Sequence, residues 1–108
     1  MATKLSLVID QGTTFYSTVQ ILDDAGTPID FTGYTGTAQM RKHYTSSNSV
    51  SFTVNATSNG IVSLALNSNV TANLVAGRYV YDVELTAPAN TTSRVVEGIV
   101  TVTPQVTR

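Results

Sequence analysis

Cysteine is absent, histidine occurs once, and charged residues make up 12% of the 108 positions. Without cysteine there is no disulfide framework, no thiolate nucleophile and no sulfur-rich zinc site, so folding places no demand on an oxidising compartment. The charge content is half of the roughly 25% usual for a soluble domain, so the polar surface is built from Thr, Ser, Asn and Gln instead. Six basic residues against seven acidic ones give a net charge near −1. The basic residues Lys4, Arg41, Lys42, Arg78, Arg94 and Arg108 are scattered, with one adjacent pair, and form no stripe able to neutralise a run of phosphates. Nucleic acid is therefore not an expected partner. Long apolar runs are missing too: the opening "MATKLSLVID" is interrupted at Ser6, too short for a leader core or a membrane span. Neither membrane insertion nor secretion is expected. Three Asn-x-Thr triplets, at Asn55, Asn69 and Asn90, fit the glycosylation pattern, but a chain this rich in Asn and Thr produces them by chance.

What is present is a 42% hydrophobic content, which excludes disorder, in a length that suits one domain over residues 1–108 with one core. Apolar and polar residues alternate with period two along most of the chain, punctuated by Gly, Pro and Asn. This predicts about seven short strands, near 4–9, 14–22, 36–44, 49–54, 61–66, 78–86 and 94–103. In "GRYVYDVEL" the inner set is Tyr79, Tyr81, Val83 and Leu85, and in "RVVEGIVTV" it is Val96, Gly98, Val100 and Val102. Pairing Leu85 with Arg94 across the Pro- and Asn-containing loop sets Tyr81 opposite Gly98, where the ring would cover the bare backbone. Further inner residues are Phe15, Val19 and Ile21, Ala38 and Met40, Phe52 and Val54, and Val62, Leu64 and Leu66. One helical turn is expected in "NSNVTANLVAG", capped at 67–69, ended by Gly77 and bridging two sheets. These features predict an all-β fold, an immunoglobulin-like antiparallel β-sandwich, with a small β-barrel as the alternative.

Reactive chemistry finds little to work with. "DDAGTPIDFTGYTG" collects Asp23, Asp24 and Asp30, but it lacks the spacing and closing glutamate of a calcium loop. It reads as a corner: Asp leads into a permissive Gly, Pro28 stiffens the exit, Ile29 and Phe31 dip inward, and Gly33 and Gly36 allow the next bend. His43 sits at a strand end with no nucleophile or orienting group in view. Asp82 and Glu84 would share one face roughly 6 to 7 Å apart, a spacing that glycosidase carboxylates use, yet on a flat outer sheet face without a cleft. No catalytic residue, metal or cofactor is expected. Tyr16, Tyr34 and Tyr44 are the tyrosines free for surface contact, and they make a small carbohydrate-binding module the alternative function. The two terminal strands carry no proline and would be open edges, and Val80, Val95 and Ile99 would form an outward apolar stripe rimmed by Asp82, Glu84 and Glu97. Those six residues and Tyr16 are the interface candidates.

The order of motifs carries a resemblance. A "GTTF" strand start, a "D-x-x-G-x-P-I-D-F-T-G-Y" corner, an "A-Q-M-R" strand and a closing "Y-V-Y-D" and "E-G-x-V-T-V" hairpin run over nearly the whole chain. In this order the sequence is similar to small virion proteins of tailed bacteriophages, and to the N-terminal domain of phage baseplate upper proteins. The resemblance implies an immunoglobulin-like sandwich that attaches receptor-binding or fibre components to the particle. It assigns Asp30, Gly33 and Tyr34 to the corner, Met40 and Arg41 to the third strand, and Tyr79, Tyr81 and Asp82 to the sixth, all scaffold positions. It implies other virion structural proteins as partners, with many copies in a symmetric assembly and the virion as location. The sequence ends at Arg108 with no fibre-bearing region after it, so attachment is expected through the domain's own surface, in a tail, a baseplate or a capsid.

Overall fold

The two longest strands form a hairpin at the centre of the larger sheet. In the computed structural model, which describes residues 3–106, β8 (Gly77–Thr86) pairs antiparallel with β9 (Thr92–Thr103). Their alternation buries Tyr81, Val83 and Leu85 on one strand and Val96, Val100 and Val102 on the other. On the far side of β8 lies β4 (Thr35–Arg41), followed by the two-residue β5 (Val50–Ser51). On the far side of β9 lie β1 (Thr3–Lys4) and β2 (Leu7–Asp10). The second sheet has three strands in the order β3 (Phe15–Gln20), β7 (Ile61–Leu66), β6 (Thr53–Ala56). The two sheets face each other as a sandwich and do not close into a barrel.

Several expectations need correction. The N-terminal strand is two strands, and both run parallel to β9, with Thr3 opposite Val96 and Leu7 opposite Val100. Consequently β9 is an interior strand and not an edge. The strand expected at 49–54 changes sheets at Phe52: Val50 and Ser51 pair with β4, Phe52 N–H donates to Ala38 O at 2.9 Å, and the next four residues pair with β7. The third strand stops at Arg41, so His43 lies exposed in the following turn. In the central hairpin Tyr81 does face Gly98, but Glu84 faces Arg94 and Leu85 faces Ser93, because the register shifts between Val83 and Glu84. The extra residue is Val95, a β-bulge whose side chain packs against the core.

Gly98 is also covered differently from expectation. A Cβ built there would lie 2.1 Å from the Leu5 carbonyl oxygen, so the segment between β1 and β2 crosses directly over this residue. The Tyr81 hydroxyl donates to that same carbonyl at 2.6 Å. Glycine thus admits a crossing backbone, not the tyrosine ring, and the phenol satisfies the carbonyl the crossing buries. Burial pushes the Tyr81 hydroxyl up to about 12.

The core is sealed by Ile9, Met40, Val62, Leu64, Val83, Leu85, Val96 and Val100, each fully buried or within 2% of it. Each such side chain contributes about 1.5 to 3 kcal/mol relative to exposure. Phe52 sits between Phe15 and Tyr81, with ring centroids 6.1 and 6.3 Å away, linking the two sheets at the point where the chain crosses. The expected helical turn is α1 (Ser68–Ala72), with Asn67 as its N-cap accepting from Val70 N–H at 3.1 Å. It ends at Asn73, before Gly77, which instead starts β8. Thr71, fully buried, donates to Thr13 O at 2.6 Å and fixes this bridge to the turn between β2 and β3. Tyr79, expected in the core, is half-buried; its hydroxyl turns back to Val75 O at 2.7 Å and Lys42 Nζ stands 4.9 Å from its ring centre. A tyrosine at the start of this strand bonded to the backbone upstream is the tyrosine corner of immunoglobulin-type sandwiches.

Candidate docking surface

The "DDAGTPIDFTGYTG" corner resolves into turn chemistry. Asp23 Oδ1 accepts from Ala25 N–H at 2.9 Å and Thr27 N–H at 3.0 Å, and Gly26 N–H donates to Asp23 O. Asp30 Oδ1 accepts from the Thr32 hydroxyl and the Thr32 N–H, and these bonds hold its carboxyl below the usual range. Gly26 and Gly33 have φ of 80° and 82°, which the turns require. Phe31 is buried, and Tyr34 packs edge-on against it at 5.2 Å, half-buried and so not a free surface ring. Asp23 and Asp30 are thus occupied in shaping the corner.

The outer face of the larger sheet is where the sequence-predicted residues meet. The pairing registers stack three cross-strand rows over β4, β8 and β9: Arg41, Val80 and Ile99; Gln39, Asp82 and Glu97; Thr37, Glu84 and Arg94. Asp82 and Glu84 do face outward, but the face is not flat. It forms a shallow groove of about 430 Å³. The 42–49 segment makes one wall: Arg41 Nη1 donates to Ser46 O at 2.6 Å, Arg41 Nη2 donates to Gln39 Oε1 at 3.0 Å, and Tyr44 overhangs the sheet at 84% exposure. A second depression of about 340 Å³ lies across Tyr44, bounded by Lys4, Ser6 and Ile99.

The electrostatics of the groove are internally balanced. Arg94 pairs with Asp82 and Glu97, each at 3.4 Å, and Lys4 pairs with Glu97 from the rim. The Lys4 hydrogen bond, assisted by Arg94, holds the Glu97 carboxyl below its ordinary value. Two arginines and Lys4 thus stand against three acids. The expected apolar stripe is reduced to the facing pair Val80 and Ile99, because the bulge turns Val95 into the core. Tyr16 lies elsewhere, 67% exposed on β3 of the other sheet. That second face differs in kind: β3, β6 and β7 contain no acidic or basic residue.

Arg41, Gln39 and Arg94 are the groove residues that a reading of strands singly leaves out. Alternation in "AQMR" puts Gln39 and Arg41 outward, so the signal was present, but their neighbours follow only from the register. His43 lies in the exposed turn, its N–H donating to Ser46 Oγ at 3.0 Å, and Asp82 is bound to an arginine on the next strand. Among the described residues no group of three or more potential ligands could hold a metal ion, and no helix is long and apolar enough to cross a membrane.

No protein-family model and no curated protein matches the chain. Among solved structures, the chain is similar to part of a family 123 glycoside hydrolase from Clostridium perfringens, described for glycolipid glycan hydrolysis. The TM-score is 0.40 and the identity 15%, over 97% of this chain and 24% of that one. A likeness of that degree transfers no chemistry, and the chain spans about a quarter of that enzyme's length.

Proposed function

We propose that this chain is a non-enzymatic bacteriophage virion protein that docks onto other virion subunits, as a baseplate or tail-fibre adaptor or as a capsid decoration. The observation that carries the reading is the concave outer face of the larger sheet. Its charges are matched to one another around an overhanging tyrosine and a half-buried Val80 beside an exposed Ile99, which suits a protein surface better than a reacting substrate. The resemblance to phage baseplate upper proteins supplies the setting, and repeated copies would add modest contacts through effective concentration. Cryo-electron microscopy of the source particle, with mass spectrometry of purified virions, tests it. The expected result is density for this sandwich contacting another subunit through the groove face, and absence of the chain from purified particles defeats the proposal.

A second reading is favoured by one observation, the 84% exposed Tyr44 ring set between two depressions, an arrangement suited to stacking a sugar. It makes the chain a small carbohydrate-binding module. A glycan array with the intact domain and with Tyr44→Ala decides it, and an array without hits removes this reading.

A further inference from the structure

We propose that two copies of this chain associate edge to edge through β3, antiparallel, so that their three-stranded sheets join into one. The pairing needs only the free edge and stands apart from the virion reading. In a constant-type immunoglobulin sandwich the first strand lies beside the second, in the sheet ordered A, B, E, D. Here both N-terminal strands run along β9 in the other sheet, and the place beside β3 has no occupant among the described residues.

The backbone of that edge is turned outward. Ile21 N–H donates to Gly60 O at 2.8 Å on the β7 side, and Gln20 faces Ile61. Alternation then directs the amides and carbonyls of Tyr16, Thr18 and Gln20 away from β7, and no backbone partner meets them among the described residues. Their side chains are exposed. Natural edges are guarded by lysine, proline, a bulge or brevity. "FYSTVQ" has no charge and no proline, its register against β7 is continuous, and it is six residues long. The opposite sheet's edges are guarded: β5 has two residues, and the N-terminal edge is broken between Lys4 and Leu7 and bears Lys4 and Asp10. On the other side of the small sheet, β6 lies against β4 where the chain crosses.

A second copy is the occupant this edge fits, because its pattern is self-complementary. With a two-fold axis at Thr18, Thr18 faces Thr18 of the second copy, and Tyr16 and Gln20 face Gln20 and Tyr16 of the second copy. Each of these pairs exchanges two N–H···O bonds, and Thr–Thr is a favourable cross-strand pair. No like charges meet, since the strands of this sheet carry none. The same neutrality gives a charged strand of another protein nothing to recognise.

Sedimentation equilibrium of the full chain from about 1 μM to about 1 mM tests the pairing. The expected result is a reversible monomer–dimer equilibrium. Thr18→Lys, which sets two ammonium groups against each other across the axis, should raise the dimer dissociation constant at least about tenfold with an unchanged far-ultraviolet spectrum. Asn55→Lys on β6 should leave it unchanged. Hydrogen exchange on the unaltered chain, which needs no variant to fold, should show the Tyr16, Thr18 and Gln20 amides gaining protection as concentration rises. A chain monomeric throughout that range overturns the proposal. So do a dimer indifferent to Thr18→Lys, amides that stay unprotected, and cross-links in purified particles that place another protein's strand on β3.

Discussion

One three-residue contact holds the segment between β1 and β2 in place on the larger sheet: the missing Cβ of Gly98, the carbonyl of Leu5 and the hydroxyl of Tyr81 meet there. Gly98→Ala places a methyl group where a backbone oxygen lies and should cost about 2 to 3 kcal/mol, measured by urea denaturation. Tyr81→Phe keeps the ring but strands the buried carbonyl, and should cost about 1 to 2 kcal/mol. It should also change the alkaline limb. Because folding raises the phenol from its ordinary value near 10 to about 12, its contribution is complete below pH 10 and is lost as pH rises from there toward 12. The phenylalanine variant should therefore show a flatter stability profile over that interval. At Glu97 the sign is opposite: a lowered carboxyl adds stability above its ordinary range and loses it as pH falls through the folded value. Lys4→Gln should move the Glu97 titration, followed by NMR, upward toward that of a free carboxylate, and added salt should shrink the difference.

At the scale of elements, alternation told most of what can be told without a register. It placed the inner residues of β4, β7, β8 and β9, whereas the expected Tyr81–Gly98 opposition rests on a Leu85–Arg94 pairing that the bulge breaks, Glu84 taking the place of Leu85. Period two is blind to direction, however: Leu7 and Ile9 bury equally well in a strand parallel or antiparallel to β9. It is equally blind to which sheet a strand serves, so 49–54 reads as one strand although its backbone bonds change sheets at Phe52. The bulge escaped because "RVV" alternates acceptably with or without an extra residue. Deleting Val95 tests this directly. Arg94 already points outward and Val96 inward, so the shortened strand should keep the fold and lose about 1 to 2 kcal/mol of packing, seen in a denaturant titration. Loss of the β-sheet circular-dichroism signal would show instead that the bulge's twist is indispensable.

Across the whole molecule the two sheets present surfaces of opposite character, one grooved and charged, the other neutral. Contacts made by the grooved face should weaken with ionic strength, whereas pairing through β3 should hardly respond. Arg94→Glu leaves Asp82 and Glu97 without their shared cation. If the grooved face docks onto virion subunits, that variant should lower the number of copies per purified particle, counted by quantitative mass spectrometry, while Thr18→Lys tests the neutral edge separately. The sandwich itself was legible from strand spacing and turn residues. The groove was not, since it arises from a loop laid over a sheet face by Arg41, a long-range consequence of local hydrogen bonds.

The parallel course of β1 and β2 beside β9 also governs the order in which structure can accumulate. Thr3 waits for Val96 and Asp10 waits for Thr103, partners 93 positions downstream. While the nascent polypeptide emerges, β1 and β2 have no strand to pair with, and the Leu5 crossing cannot form until β9 arrives. Such distant pairings slow the search, so refolding should proceed over milliseconds to seconds, and chains halted before Gly98 should be prey to proteases.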